Sequence, residues 1–260
     1  MTHEASAPMP ARLVDRFGRA HRDLRVSLTD RCNLRCTYCM PEEGMQWLKR
    51  SDVMSFEEIE RLARVFVERY GVKGIRLTGG EPTVRAHLPV LVSKLSKLVG
   101  PDGPVNLAMT TNGATMRLVA DSLKQAGLKR VNISLDTLDP AVFRSLSRRD
   151  DLHRVLVGIE AAQRAGFEEL KLDTVVIAGV NDGEIGLEIV GELLKLTRGG
   201  ECAASKARRA GLALGGDVST DPFVAVTGRA EHARGEQQDD GTDRHGKHQK
   251  TYNNHWNSQP

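Results

Sequence analysis

Five segments between Leu24 and Ile177 alternate polar and apolar side chains, and each is followed by a stretch with helical periodicity. The strand-like segments are Leu24–Thr29, Gly74–Thr78, Val105–Thr111, Arg130–Asp136 and Leu170–Ile177. Helices are expected over Ser55–Tyr70, Leu88–Leu98, Thr115–Ala126, Asp151–Ala165 and Asp182–Leu196. Ser55 and Glu58 have capping-box spacing, and Gly71, Gly127 and Gly166 stand where helices stop. Strand and helix taken in turn specify an α/β fold built on a parallel sheet. The expectation is a partial parallel (βα) barrel of about five βα units.

The pattern inside the strands constrains the fold further. Buried parallel strands are usually apolar on both faces, yet here one face of each strand is polar. Residues two apart share a face. Arg25, Ser27 and Thr29 therefore point one way, as do Arg76 with Thr78, Asn106 with Thr110, Asn132 with Ser134 and Asp136, and Lys171 with Asp173. The opposite faces read Leu24/Val26/Leu28, Ile75/Leu77, Leu107/Met109, Val131/Ile133/Leu135 and Leu170/Leu172. Helices should cover the apolar side, and the polar side should line a hydrated lumen or ligand cavity. A sheet with one face open to solvent is the plainer alternative. Arg25, Arg76 and Lys171 put three cations on that face, where burial without an anionic partner is costly. A polyphosphate would supply the partner, and arginine grips phosphate oxygens in a fork. Pairing with Glu81, Asp136 or Asp173 is the structural alternative.

Cys32, Cys36 and Cys39 form a Cys-x3-Cys-x2-Cys loop directly after the first strand. Iron–sulfur clusters are normally held by four cysteines. Three thiolates on one loop suit a [4Fe–4S] cube whose fourth iron is left for a small molecule. Zinc would need a closed set of four ligands, and the only other cysteine is Cys202. Disulfide pairing would require an oxidising compartment, for which nothing in the sequence argues. After the second strand comes Gly79-Gly80-Glu81-Pro82, whose glycines let backbone approach a ligand.

These words together resemble the radical S-adenosylmethionine (SAM) enzymes, and among them the GTP 3′,8-cyclase family of molybdenum cofactor biosynthesis. The matching stretches are Phe17-Gly18-Arg19, Asp23 to Met40 with Pro41-Glu42-Glu43-Gly44, Ile75 to Pro82, and Thr110-Thr111-Asn112-Gly113. Asn132 to Asp136 and Lys171 to Val175 complete the set, so the likeness runs over about residues 13 to 196. The resemblance implies that Cys32, Cys36 and Cys39 ligate a [4Fe–4S] cluster whose open iron binds SAM. It places Tyr38, Gly80 and Ser134 against SAM, and Arg25, Arg76, Thr110 and Lys171 against GTP. It implies reductive cleavage of SAM, hydrogen abstraction from the ribose C3′ of GTP and closure onto guanine C8, with a low-potential electron donor as partner. Asp173 stands where the family usually has asparagine. A second copy of the chain is a candidate partner, the oligomeric state being left open by the sequence.

With 37 basic and 34 acidic residues and a net charge of +3, the chain offers no electrostatic case for nucleic acid. No run approaches the roughly 18 apolar residues of a membrane span. The N-terminus lacks the apolar core of a secretory signal, so a cytoplasmic location is expected. The division expected is an N-terminal extension over 1–20, a core over 21–197 and an atypical tail over 198–260. The tail is poor in large apolar residues and is expected to be disordered, with only Phe223–Val226 reading as strand. Four of the chain's eight histidines fall in it, but their irregular spacing weighs against a metal site. The family's second three-cysteine cluster site has no counterpart, since Cys202 stands alone. The expectation is a frame change near Thr197–Gly199. The alternative to the cyclase function is a catalytically inactive truncated remnant or interaction protein that binds a cluster and SAM without cyclising GTP.

Overall fold

The computed structural model describes residues 12–41 and 45–182, and the backbone of 223–230. The chain runs β1 (Asp23–Ser27), α1 (Phe56–Arg64), β2 (Gly74–Thr78), α2 (Leu88–Leu95), β3 (Val99–Gly100), β4 (Gly103–Pro104) and β5 (Asn106–Thr111). It continues through α3 (Met116–Gln125), β6 (Arg130–Ser134), α4 (Pro140–Ser147), α5 (Leu152–Ala165), β7 (Glu169–Ile177) and β8 (Phe223–Ala230). The main sheet has the order β1-β2-β5-β6-β7-β8, and β3 and β4 form a separate small ladder. The first five strands of that sheet are parallel, while β8 runs antiparallel to β7. Parallel neighbours in chain order, joined by helices, are the expected βα construction.

The alternation in the strands decides which side the helices take. Ile75, Leu77, Leu107, Met109, Val131, Ile133, Leu170 and Leu172 are buried, and they join one core with Ile59, Leu91, Met116, Leu123, Val155 and Ile159 of the helices. The polar face is more open: Arg25 and Ser27 are exposed, and Arg76, Thr78, Thr110, Ser134, Lys171 and Asp173 are half-buried. Asn132 is the exception at 7 % exposure. The expected segregation of the two faces is therefore present over the described residues.

Local chemistry accounts for the helix boundaries. Ser55 accepts from the Glu58 amide while the Glu58 carboxylate accepts from the Ser55 amide, closing the expected capping box of α1. The segment continues through a π-helical turn, Val65–Arg69, before Gly71 turns the chain at φ 67°. Gly166 ends α5 at φ 70°. One helix went unforeseen: α4, with Asp139 accepting from the Ala141 and Val142 amides and Pro140 in the first turn. Apart from Asp182, the helix expected over Asp182–Leu196 lies outside the described residues. So does most of the tail, where the described part, β8, extends the short strand expected at Phe223–Val226.

Candidate functional site

Every loop that the sequence singled out leaves the carboxyl end of a parallel strand, where open and closed α/β sheets place their ligands. The loop carrying Cys32, Cys36 and Cys39 follows β1, Gly79–Pro82 follows β2, Asn112–Gly113 follows β5, and Asp136 follows β6.

The cysteine loop is held by its backbone. Arg35 and Thr37 donate their amides to the carbonyls of Ser147 (2.9 Å) and Leu146 (2.8 Å), the last residues of α4. Leu28 and Leu34 anchor it in the core, with Cys32 and Cys36 packed alongside. The Arg35 guanidinium folds back onto the Cys32 and Leu34 carbonyls at 2.6 and 2.7 Å. Burial pushes all three thiols upward in pKa, Cys36 to about 12 with Asp136, Cys39 and Cys32 adding to the effect. The three sulfurs thus sense one another. Among the described residues no three His, Cys, Asp or Glu side chains form a site for a single metal ion. The three free thiols of the loop supply one ligand fewer than the closed set of four that a structural zinc needs. Cationic iron would favour the thiolates that burial disfavours.

Gly79 and Gly80 lie against the start of the cysteine loop. Gly79 has φ 145°, and its Cβ would meet the Thr29 carbonyl oxygen; a Cβ on Gly80 would run into the carbonyls of Asp30 and Arg31. The Gly80 amide donates to the Thr29 carbonyl at 2.6 Å, and the Glu81 amide to that of Arg31 at 2.8 Å. The Glu81 side chain, 1 % exposed, turns inward. Its Oε1 accepts from the Thr83 amide (3.1 Å), Thr83 Oγ1 (2.5 Å) and Thr111 Oγ1 (2.6 Å), and its Oε2 from the Asn112 amide (2.7 Å). Glu81 is thus occupied by neutral donors, not by the cations the sequence offered it as partners.

Tyr38 is tied to a different strand end. Its hydroxyl donates to Asp136 Oδ2 at 2.6 Å, while Asp136 Oδ1 accepts from the Val175 amide at 2.9 Å. Burial and the Asp136 carboxylate push the phenol pKa upward, and burial raises that of Asp136. Because β6 ends at Ser134, Asp136 lies beyond the strand, and a hydrogen bond to Tyr38 replaces its expected place in the row of polar side chains.

Register assembles the remaining candidates. Arg25 pairs with Arg76, Arg76 with Ala108, Ala108 with Arg130, and Arg130 with Glu169, giving one row across five strands. The next row holds Thr110, Asn132 and Lys171 together, and Ser134 pairs with Asp173. Among the described residues Arg25 and Arg76 make no ion pair, and a small alanine stands beside them. Lys171 is 3.4 Å from Glu169 Oε1, which Arg130 shares through Oε2 at 3.3 Å. Its partner is therefore not Asp173, which accepts from Asn132 Nδ2 at 2.9 Å and leaves buried Oδ1 without a hydrogen bond. Sequence reasoning passed over Arg130 and Glu169 as site residues. Their position at the head of strands two residues before Asn132 and Lys171 was the available sign.

A family model described as the Radical SAM superfamily matches residues 26–187. This chain belongs to the radical SAM superfamily. Curated relatives named GTP 3′,8-cyclase include one from Rhodopirellula baltica, 53 % identical over 68 % of this chain and 48 % of the relative. Another, from Streptomyces coelicolor, is 49 % identical over 66 % of this chain and 50 % of the relative. The chain spans about half the length of these relatives. Among solved structures, HydG, a maturase of the [FeFe]-hydrogenase, aligns at TM-score 0.51 with 15 % identity over 66 % of this chain and 39 % of that one. Streptococcus suis SuiB aligns at 0.50 with 18 % identity, over 68 % and 36 %. These two speak for the fold alone. Radical SAM proteins use a [4Fe–4S] cluster and SAM, and Cys32, Cys36 and Cys39 are the residues of this chain that suit the cluster. Among the described residues no helix is long and apolar enough to cross a membrane.

Proposed function

We propose that this chain is the radical-forming and triphosphate-binding part of a GTP 3′,8-cyclase, acting on GTP to give (8S)-3′,8-cyclo-7,8-dihydroguanosine 5′-triphosphate at the start of molybdenum cofactor biosynthesis. The observation that carries the reading is the pair Arg25 and Arg76: register neighbours without an ion pair among the described residues, on the polar face of the sheet that bears the cysteine loop.

Cys32, Cys36 and Cys39 hold the cluster, and Tyr38, Gly80 and Ser134 line the SAM side. Bound there, the cluster and SAM supply a carbon radical able to take hydrogen from an unactivated C–H bond. The chain's own contribution is position and charge. Arg25 and Arg76 neutralise phosphate oxygens, with Lys171 and Thr110 one row further along the strands. The triphosphate held in this way fixes the ribose near the carboxyl ends of the strands, so remote binding energy is used to orient the reacting carbon.

The test is anaerobic reconstitution with iron and sulfide, followed by reductant, SAM and GTP, with products separated by mass spectrometry. The expected result is deoxyadenosine together with cyclised GTP, and both falling in Arg25→Ala and Arg76→Ala as GTP binding weakens. A second reading follows from Cys202, the only cysteine outside the loop. Deoxyadenosine formed at a rate indifferent to GTP, with no cyclised product, would assign the chain to cluster and SAM binding without coupling. GTP binding unchanged in both arginine variants would refute the phosphate site.

A further inference from the structure

We propose that Asn112 is a positioning residue that sets the reduction potential of the cluster, by donating an N–H···S hydrogen bond from its carboxamide to the sulfur of Cys32. The proposal rests on the family's cluster and is independent of which substrate the chain takes.

The orientation of the amide is fixed from three sides. Its Oδ1 accepts from the Ala114 amide at 3.1 Å, which turns Nδ2 toward the cysteine loop. Nδ2 lies 2.7 Å from Asn33 Oδ1 and 3.7 Å from Cys32 Sγ. A carboxamide nitrogen carries two hydrogens, so it serves both acceptors at once. The backbone amide of Asn112 is bound by Glu81 Oε2 at 2.7 Å, and Glu81 is buried among Thr83 and Thr111. Swinging or flipping the carboxamide would break its bonds to the Ala114 amide and to Asn33 Oδ1, while the bond to Glu81 holds the backbone from which it projects.

Its placement distinguishes it from the donors that any such loop carries. The Leu34 amide also faces the Cys32 sulfur, but it belongs to the cysteine loop and would accompany any fold of that loop. Asn112 comes from the end of β5, 80 residues along the chain. When the cluster takes one electron from an external low-potential donor, its total charge becomes more negative by one. No bond breaks, and no proton moves at Asn112. A donor aimed at a ligand sulfur stabilises the more negative state and raises the potential. Through Glu81, the same residue links the turn expected to meet SAM with the cysteine expected to hold iron.

The test is a dithionite titration of the full chain, reconstituted without oxygen, with the reduced cluster followed by electron paramagnetic resonance. Asn112→Ala should retain its iron and sulfide content and shift the midpoint to a more negative potential. Asn112→Asp keeps the shape and the acceptor for Ala114 but loses the donor, and it should shift in the same direction. Midpoints unchanged in both variants at full iron content would overturn the proposal. A shift in Asn112→Asp alone would overturn it too, because added charge would then be the whole effect. Loss of the cluster from both variants would equally count against it, making Asn112 a structural residue of the loop.

Discussion

The chemistry of the site at the scale of single residues is set by burial. Cys36 sits against Asp136 and the other two thiols, and its pKa is pushed up to about 12, against an ordinary thiol value near ~8.5. The sign follows directly: a raised pKa leaves less thiolate at neutral pH, and the thiolate is the reactive form. In protein freed of metal, alkylation of Cys36 by iodoacetamide should keep accelerating as pH rises from 8 to about 11, where an unperturbed thiol has already levelled off. Peptide-resolved mass spectrometry reads this, and a plateau near pH 9 would contradict the burial shown here. The cysteines, Gly80 and the two arginines were legible in the sequence because each carries its chemistry in its residue type and spacing. Glu81 and Asp136 were legible only as candidate partners for the cations, and the neutral groups that they and Asn112 meet were not. Their roles lie in hydrogen bonds 30 to 98 residues long in sequence, which no local pattern encodes.

Secondary elements matter here mainly for what they hold in place. The last carbonyls of α4 accept the Arg35 and Thr37 amides, so this short helix is the platform for the cysteine loop. Its start depends on Asp139, whose Oδ1 takes the Ala141 and Val142 amides at 2.7 and 3.0 Å. Removing an N-cap of this type costs about 1 kcal/mol. Asp139→Ala is therefore expected to lower stability by that amount in urea denaturation and to hasten iron loss to a chelator in reconstituted protein. Unchanged iron retention at reduced stability would show that the helix does not brace the loop. Asp139 followed by Pro140 was the sequence sign of this start, easily missed because the helix is only eight residues long. The long amphipathic helices and the alternating strands were readable because their periods repeat. The antiparallel partnership of β7 with β8 was not, since pairing and register are decided by tertiary contact.

Taken as a whole, the described part of the molecule packs one side of its sheet against helices and leaves the other side polar and more open. All the described helices that pack on the sheet do so through the same apolar core. The opposite side retains half-exposed polar and charged groups. Neighbouring residues of one strand should then differ greatly in energetic weight. Leu77 is fully buried on the helix side, and Thr78, next in β2, faces the other way. Leu77→Ala removes buried methyl groups and leaves a cavity, costing about 2–5 kcal/mol. Thr78→Ala gives up only strand preference, no more than about 1 kcal/mol. Urea midpoints of the two variants check this, provided the denaturant slope is unchanged. Comparable losses would mean that the polar face is itself packed, leaving no room there for a triphosphate. A wide gap between them would leave the polar face free to be specified by ligand, in keeping with Arg25 and Arg76, which make no ion pair among the described residues.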